Sequence, residues 1–397
     1  MPYIQRTAEA KAMSYIENNR ALFILGARQV GKTSLLRRLI ELVGRERSLY
    51  FDLENPEHLR GLGGDVNSCI SYLRQHRPPA QGRVYVFIDE IQYYKDFSST
   101  IKYLVDHHFE DYKFVLTGSS SLLIKKSFSE SLVGRKDILE LYPLSFSEFC
   151  RFSGEIWLAE QTLSLRPDQY FLEGFDLPKL KRLINEYIVF GGYPQVVLTP
   201  KRTEKIELLR DIVSSYILKD VKNLFKIEKL DQFNDLVRFL AVNLGKELNI
   251  QTLSRTTGLY RDTVQNHLRA LSDAYIIRLI KPLHRNLNTE IRKMSKLYYV
   301  DTGVRNAIIN NFNSLELQPD RGEQFENFIY LQLFYTKAIT AEIRFWKTRN
   351  GQEIDFVVLD EGRIDAYEVK YGSSQKNHFA AFQAAYPGSL CSLISYT

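Results

Sequence analysis

The chain has 397 residues, 44% of them hydrophobic and 25% charged. This composition is typical of globular proteins and excludes a wholly disordered or collagen-like chain. The 53 basic and 47 acidic side chains leave a net charge of +6. That charge is compatible with nucleic-acid binding but is no evidence for it. At about 150 residues per domain, the length predicts two to four domains.

The cysteines and the apolar runs exclude further classes of protein. Cys69, Cys150 and Cys391 are too far apart in sequence to form a metal-ligand motif or a disulfide framework. The N-terminus has no apolar run of the kind that signal peptides contain. The longest apolar stretches are strand-sized and fall far short of the roughly 20 residues that span a bilayer. We therefore expect a cytoplasmic protein in a reducing compartment, with no membrane partner.

Four regions with different patterns follow one another along the chain, which predicts a multidomain α/β protein. Up to residue 142, short apolar runs alternate with helical patterns, as in a parallel sheet with βαβ connections. Residues 143–224 are mostly helical in pattern, residues 225–294 combine helices with a short strand, and residues 295–397 contain strands around a helix at 321–337. The strands expected in the first region are 21–25, 48–53, 84–90, 114–118 and 138–141.

A phosphate-binding loop is predicted at residues 26–33, whose sequence GARQVGKT matches the pattern GxxxxGK[ST]. An apolar strand precedes it and a helical pattern follows it, as this motif requires. Backbone N–H groups of such a loop surround phosphates, Lys32 contacts the β and γ oxygens, and the Thr33 hydroxyl ligates Mg²⁺. The predicted nucleotide-binding residues are Gly26, Ala27, Arg28, Gln29, Val30, Gly31, Lys32, Thr33 and Ser34.

The strand expected at 84–90 ends in two carboxylates, Asp89 and Glu90. The carboxyl edge of a parallel sheet is where ligands bind, so these side chains are expected next to the loop. Asp89 would hold Mg²⁺, directly or through water, and Glu90 would orient and polarise the attacking water.

Three other polar residues are weaker candidates for the same site. Thr117 and Ser119 follow the next strand and could sense the γ-phosphate, although a Ser/Gly turn that starts a helix explains them equally well. Arg135 could stabilise transition-state charge as an arginine finger, in cis or from a neighbouring copy. The alternative is an ordinary surface arginine.

Several strings now point to a family. GARQVGKT, FIDEIQ, LTGSS, VGR, LYPLSFSEF and FGGYP occur in this order and resemble a family of archaeal and bacterial AAA+-type ATPases. Its members carry a C-terminal winged helix and a restriction-endonuclease-like domain, and the resemblance covers nearly the whole chain. It implies a P-loop ATPase core at 1–142, a helical lid segment at 143–224, a winged helix-turn-helix at 225–294 and a nuclease-like domain at 295–397. It also implies binding and hydrolysis of ATP but no particular process.

The apolar spacing of residues 250–271 independently predicts two short amphipathic helices that meet at a turn containing Gly258. If this element binds DNA, its second helix enters the major groove. The residues expected to contact bases and phosphates are Arg261, Gln265, Asn266 and Arg269. The alternative is a packing module, because Asp262 would repel a phosphate. His267 is interpreted as a helix-face residue because no other metal-ligand type lies at a usable spacing.

The C-terminal region predicts a carboxylate constellation on a sheet. Strands at 344–349, 353–359 and 364–370 are separated by turns, the first of them Asn350-Gly351, a strong hairpin signal. Side chains alternate along strands, so Asp355, Glu368 and Lys370 are expected to share one face. Asp355 and Glu368 could hold Mg²⁺ or Mn²⁺, and Lys370 could position the attacking water.

This arrangement resembles the PD-(D/E)xK nuclease superfamily. The resemblance implies a further active-site carboxylate from the preceding helix, Glu326, and a weaker assignment for Gln383 on the following helix. Ile354 stands where the superfamily pattern has proline. The alternative is a charged hairpin on a solvated sheet face, or the same fold without catalysis, because fold does not imply function.

Three functional hypotheses remain. The first is an ATP-powered DNA-processing enzyme with a metal-dependent nuclease. The second is a regulatory or signalling ATPase whose nuclease-like domain is a structural or partner-binding module, working with protein partners or as a homo-oligomer. The modest net charge of +6 favours it over a strong DNA binder. The third is a transcriptional regulator whose affinity for DNA depends on ATP.

Overall fold

The computed structural model describes residues 3–94, 97–119, 132–164, 167–169, 176–225, 227–284, 294–373 and 377–396. It divides the chain into two compact units, Met1–Tyr142 and Pro143–Thr397, which are described separately below. The division of the second unit into a helical segment, a winged helix and a nuclease-like domain stays a prediction. Among the described residues, no helix is both long and apolar enough to cross a bilayer.

The first unit is built on a five-stranded parallel sheet, which confirms the prediction of a mixed α/β core. Its strands, in the order β2-β3-β4-β1-β5 across the sheet, are β1 (Ala21–Leu25), β2 (Ser48–Asp52), β3 (Val84–Asp89), β4 (Tyr112–Gly118) and β5 (Lys136–Glu140). Leu25 lies beside both Gly118 and Glu140 in the register, and Asp52 lies beside Asp89. The carboxyl ends of all five strands therefore meet at one edge.

Helices cover the faces of this sheet with their apolar sides. They are α1 (Ala8–Ile16), α2 (Lys32–Val43), α3 (Pro56–Leu62), α4 (Val66–Gln75) and α5 (Phe97–His107). Leu73 on α4 and Leu104 on α5 are fully buried in the same core cluster as Phe23 of β1. Every residue of β1 and β4 is buried, as expected for central strands covered on both faces.

The second unit begins with helices. They are α6 (Phe146–Phe152), α7 (Ile156–Ser164), α8 (Leu177–Phe190), α9 (Pro194–Leu198), α10 (Arg202–Ile212), a π-helical segment (Val213–Val221), α11 (Lys222–Phe225), α12 (Leu230–Val242), α13 (Ile250–Thr257) and α14 (Arg261–Asp273). Strands β6 (Ile277–Ile280) and β7 (Lys296–Tyr299) then form an antiparallel pair. This pair directly follows the two short helices around Gly258.

The rest of the second unit contains a four-stranded sheet in the order β11-β10-β9-β8. Its elements, with the helices before and between them, are α15 (Thr302–Ile309), α16 (Arg321–Thr336), β8 (Glu342–Lys347), β9 (Glu353–Asp360), β10 (Arg363–Tyr371), α17 (Phe379–Ala385) and β11 (Leu390–Tyr396). Strands β8, β9 and β10 are antiparallel neighbours, and β11 is parallel to β10. Phe325 and Phe328 of α16 share a core cluster with Tyr367 of β10 and Ile394 of β11.

The string LYPLSFSEF has a structural role that its sequence alone does not show. Ser145 and Glu148 form a reciprocal capping box that starts α6. The Leu144 N–H donates to the Gly192 carbonyl at 2.7 Å, and the Tyr187 hydroxyl donates to the Leu144 carbonyl at 2.8 Å. The string is thereby joined to the FGGYP turn at the end of α8.

The same turn is closed from its other side by the N-terminus of α15. Asp301 caps this helix by accepting from the Val304 N–H at 2.9 Å, and it accepts from the Gly192 N–H at 2.7 Å. Burial raises the pKa of Asp301 to about 6, while its backbone hydrogen bonds oppose that rise. Gly191 has a φ of +74°, and a Cβ there would overlap the Asp301 carboxylate. At Gly303, a Cβ would overlap the Phe190 carbonyl group.

We predict that Gly303→Ala lowers the free energy of unfolding of the second unit by about 2 to 4 kcal/mol, because the new methyl group meets a backbone carbonyl that cannot move away freely. Urea unfolding followed by tryptophan fluorescence measures this, since Trp157 and Trp346 both lie in this unit. Gly322→Ala is the matched control: both glycines are the second residue of a helix, but a Cβ at Gly322 meets nothing within 4 Å. Equal unfolding midpoints for the two variants would contradict the packing argument.

Candidate nucleotide site and C-terminal carboxylate cluster

The predicted phosphate-binding loop connects β1 to α2 and is held close to the end of β5. The Leu141 N–H donates to the Leu25 carbonyl at 2.7 Å, and a Cβ at Gly26 would overlap the Leu141 carbonyl oxygen. Gly31 has a φ of +97° immediately before α2 begins, a conformation that glycine adopts without strain. Gln29 also has a positive φ, of 61°. The loop therefore turns sharply and leads into the N-terminus of α2, where the helix dipole favours an anion.

Lys32 is buried beneath this loop and points back into it. Its ammonium group donates to the Gly26 carbonyl at 3.2 Å and to the Ala27 carbonyl at 2.9 Å. Burial lowers the pKa of Lys32 from its ordinary value, whereas the charges of Glu90 and Asp89 oppose that shift. Phosphate oxygens placed here would compensate this charge more completely than neutral carbonyls do.

Asp89 joins three elements at the carboxyl edge of the sheet. Its carboxylate accepts from the Thr33 hydroxyl at 2.8 Å, from the Thr117 hydroxyl, and from the Tyr50 hydroxyl at 3.3 Å. Adjacent hydroxyl and carboxylate oxygens are ligands that Mg²⁺ prefers, so Thr33 and Asp89 fit the ion predicted for them. Burial, with the Asp89 charge next, raises the pKa of Tyr50 to about 12, so this hydroxyl stays a donor at neutral pH.

Glu90 is held beside Asp89 by a second group of polar residues. Its backbone is left-handed, with a φ of +56°, which is uncommon for a side chain of this size. The Ser119 hydroxyl donates to its carboxylate at 3.2 Å, the Gln92 amide also donates to it, and the Glu90 N–H donates to Thr117 Oγ1 at 3.2 Å. Thr117 and Ser119 thus lie next to the predicted catalytic carboxylate. Sequence reasoning missed Gln92, although it stands in the string FIDEIQ.

Arg135 is not brought to the phosphate-binding loop within this unit. Its carbonyl accepts from the N–H of Ala21, the first residue of β1, whereas the loop follows the last residue of β1. Five residues of strand separate the two points by roughly 16 Å. The guanidinium group is instead paired with Asp106 at 2.5 Å. A role in cis therefore does not fit this geometry, and a role in a neighbouring copy stays a prediction.

A residue that sequence reasoning missed supports the loop from behind. The buried Arg6 guanidinium donates to the Val30 carbonyl and to the Tyr142 carbonyl, both at 2.9 Å. It thereby joins the loop to the chain just beyond β5. No sequence motif could have found it, because Arg6 lies 24 residues before Val30 and outside any recognised pattern.

The residues predicted to contact nucleic acid lie on α14. Arg261, Gln265, Asn266 and Arg269 are all exposed there. Arg261 and Gln265 also line an open cavity of about 490 Å³ beside the N-terminus of α13. His267 lies on the opposite side of the helix, buried against the Phe233 ring at 5.1 Å, and burial lowers its pKa.

The C-terminal sheet brings the predicted carboxylates together. Asp355 lies on β9 just before Phe356, which pairs with Tyr367 on the antiparallel strand β10. The Asp355 carboxylate accepts from the Val369 N–H of β10 at 2.8 Å. Glu368 is buried, with one carboxylate oxygen 2.9 Å from the Lys370 ammonium and the other accepting from the His378 N–H at 2.8 Å.

Glu326 of α16 lies near Asp355, and its carboxylate accepts from the Tyr298 hydroxyl. Burial and the nearby charge of Glu326 raise the pKa of Asp355 to about 7. Gln383 lies on α17 and its amide donates to the Ser389 carbonyl at 3.4 Å.

Lys296 occupies the middle of the cluster, and sequence reasoning did not single it out. Its ammonium nitrogen lies 2.5 Å from Glu353, 3.2 Å from Glu326 and 3.6 Å from Asp355. Burial lowers the pKa of Lys296, but the three carboxylates outweigh burial and raise it above its ordinary value. Lys296 therefore stays charged.

The metal that the nuclease resemblance implies does not fit the cluster as it is arranged. Throughout the described part of the chain, no three His, Cys, Asp or Glu side chains are placed to hold a metal ion together. Both carboxylate oxygens of Glu368 are engaged by a cation and a backbone N–H, and those of Asp355 by Lys296 and a backbone N–H. No catalytic step through a metal follows from this geometry.

Comparison with protein families identifies the first unit. Residues 18–150 match the family model described as an AAA domain. With the parallel sheet and the loop described above, this shows a P-loop ATPase core of the AAA type, for which ATP binding and hydrolysis are expected. Residues 181–315 and 321–394 match two further models, described as domains of unknown function DUF8612 and DUF4143.

Several curated relatives cover most of the chain. An uncharacterized protein of Methanocaldococcus jannaschii is 26% identical over 364 residues, which is 90% of this chain and 76% of the relative. An uncharacterized protein of Haemophilus influenzae is 23% identical, covering 95% of this chain and 87% of the relative. One of Mycobacterium tuberculosis is 25% identical, covering 93% and 74%.

Similar solved structures include the Walker-type ATPase PABY2304 of Pyrococcus abyssi, which is 14% identical with a TM-score of 0.49 and covers 77% of this chain and 96% of that chain. Cdc6p of Pyrobaculum aerophilum is 12% identical with a TM-score of 0.31, covering 78% and 95%. Both scores are below 0.5, too low to establish a shared fold over the whole chain.

We predict that Arg6→Met weakens ATP binding about tenfold, because the phosphate-binding loop loses its anchor to residue 142. Isothermal titration calorimetry with a non-hydrolysable ATP analogue measures the change. Arg20→Met is the control: Arg20 is also paired in this unit, with Asp137 at 3.1 Å, but it precedes β1 at the opposite edge of the sheet. Equal affinities of wild type and Arg6→Met would refute a supporting role for Arg6.

Proposed function

We propose that the protein is a Mg²⁺-dependent, ATP-hydrolysing AAA+-type ATPase that acts on DNA. The observation that carries the ATPase part is the cluster of Lys32, Thr33, Asp89 and Glu90 at one edge of the sheet, within a core that matches the AAA model. The DNA part rests on α13, α14 and the strand pair after them.

Different residues of the first unit have different roles in the proposed hydrolysis of ATP. The loop N–H groups and Lys32 would bind the β- and γ-phosphates, and Thr33 with Asp89 would hold the Mg²⁺ ion, which would neutralise charge on the phosphates. Glu90 orients the attacking water and accepts its proton. Ser119 and Gln92 fix the direction of the Glu90 carboxylate, so they are positioning residues.

A winged helix at 225–294 is supported by the order of elements in the second unit. Two short helices meet at Gly258, which has a φ of +68° and ends α13, and the antiparallel pair β6–β7 follows α14. Arg261, Gln265 and Arg269 are spaced four residues apart on the exposed side of α14, so they present one face to a DNA groove.

A second candidate function is a regulatory ATPase whose C-terminal sheet serves as a partner-binding or structural module. The observation that favours it is the cation in the carboxylate cluster, Lys296, which takes part in three ion pairs there. The nuclease hypothesis for Glu326, Asp355, Glu368 and Lys370 is supported by their proximity alone.

We predict that Lys32→Ala abolishes ATP hydrolysis and that Glu90→Gln lowers its rate by at least about 100-fold while ATP still binds. The first variant loses the cation on the phosphates, and the second keeps the shape of the side chain but cannot accept a proton. A phosphate-release assay, paired with binding of a fluorescent ATP analogue, separates the two effects. Glu57→Gln, an exposed substitution on α3, is the matched control and should hydrolyse ATP like wild type. Unchanged turnover in Lys32→Ala would disprove the assignment of the loop.

We predict that Arg261→Gln combined with Arg269→Gln weakens binding to duplex DNA and reduces the slope of log K against log salt by about 1.8, since each lost phosphate contact removes about 0.9. Fluorescence anisotropy between 50 and 200 mM salt gives this slope. Arg238→Gln, an exposed change on α12, is the control. Absence of DNA binding by wild type at low salt would favour the regulatory ATPase, and tight binding to one sequence would favour a transcriptional regulator.

A further inference from the structure

The charge balance of the C-terminal cluster leads to an inference about its occupant. We infer that Lys296 is the resident cation of the cluster formed by Glu326, Glu353 and Asp355, and that it takes the place a divalent metal would need. The cluster of the free protein then binds no divalent cation unless Lys296 is displaced. This inference does not depend on the proposed ATPase or DNA activities.

The carboxylate oxygens that face the middle of the cluster are already engaged. Glu353 has one oxygen 2.5 Å from the Lys296 ammonium and the other 3.1 Å from the Lys347 ammonium. Asp355 has one oxygen near Lys296 and the other on a backbone N–H. Glu326 accepts from Lys296 and from the Tyr298 hydroxyl through the same oxygen.

These contacts are incompatible with a metal in the same place. Mg²⁺ needs several oxygens at about 2.0 to 2.1 Å, each with a lone pair directed at the ion, and Mn²⁺ prefers the same kind of ligand. A dication among these oxygens would also lie within a few ångströms of the Lys296 ammonium, where like charges repel strongly in a site of low dielectric. Metal binding therefore requires Lys296 to leave.

Lys296 is held in place by the fold rather than by the cluster alone. It is the first residue of β7, it is paired with Ile280 of β6, and its ammonium lies 5.5 Å from the Phe345 ring centre. Only 4% of the residue is exposed. The lysine therefore cannot reach solvent without displacing the residues packed around it, and the charge of the cluster depends on its staying in place.

Mn²⁺ binding to the nucleotide-free full chain tests the inference. The fraction of free Mn²⁺ is measured by electron paramagnetic resonance, with Asp89→Asn in every protein to remove a ligand of the nucleotide site. Without further change, we expect no Mn²⁺ site tighter than about 1 mM. Glu326, Glu353 and Asp355 are not arranged around a metal position in the present structure, but Lys296→Met leaves these three carboxylates without their cation and free to rearrange, so we expect one Mn²⁺ ion bound at least about tenfold more tightly. The gain should disappear when Asp355→Asn is added.

Lys347→Met is the matched control. Lys347 is also paired with Glu353, but its side chain is 39% exposed and its second ion pair is with Glu247, outside the cluster. We expect this variant to bind Mn²⁺ no more tightly than its parent. A tight Mn²⁺ site in the parent that Asp355→Asn removes, or no gain in Lys296→Met, would overturn the inference.

Loss of folding in Lys296→Met would leave the titration of the parent to decide. Absence of a Mn²⁺ site there supports the inference, and a site sensitive to Asp355→Asn overturns it. A failed ATPase assay bears on the phosphate-binding loop only and leaves this result unchanged.

Discussion

A charge removed from water has to be compensated within a few ångströms, and this constraint governs the arrangement of polar residues in both units. In the first unit the buried Lys32 lies under a loop of carbonyls, within the field of Asp89 and Glu90. In the second, the buried Lys296 lies among three carboxylates. The surrounding sheet or strand pair holds each cation where it cannot be solvated instead.

The nucleotide site follows from sequence almost completely because its parts are local. The phosphate-binding loop needs only a strand, a glycine-rich turn and the start of a helix, which follow one another directly in the sequence. The carboxylates Asp89 and Glu90 stand together at the end of a single strand, β3. Parallel strands then bring Asp89 and Thr117 to the same edge as Thr33. Arg6 and Tyr50 were missed because they come from outside these motifs, whereas Gln92 was missed although it stands in the string FIDEIQ. Arg135 failed in cis because a local string does not show which edge of the sheet it occupies.

The C-terminal cluster, unlike the nucleotide site, could be predicted only in part from the sequence. The spacing of Asp355, Glu368 and Lys370 predicted their convergence, because alternation along adjacent strands is a short-range rule. Lys296 and Glu353 decide the charge of the cluster, yet Lys296 lies 30 residues before Glu326 in sequence and on a separate strand pair. Its strand, KLYY, matches no motif, so no sequence pattern connects Lys296 to the carboxylates.

Lys32 and Lys296 differ in whether a bound ligand would improve the compensation of their charge. Lys32 is bonded to neutral carbonyl oxygens, so phosphate oxygens would improve its compensation, and Thr33 and Asp89 present oxygens beside it that suit Mg²⁺. Lys296 already has carboxylate partners, so neither an anion nor a metal improves its surroundings without breaking ion pairs. In the first unit, Mg²⁺ and nucleotide phosphates would therefore improve the compensation of charge, as the proposed ATPase function requires, whereas in the C-terminal cluster the ion pairs of Lys296 are already formed. This asymmetry favours the nucleotide site as the place where chemistry occurs.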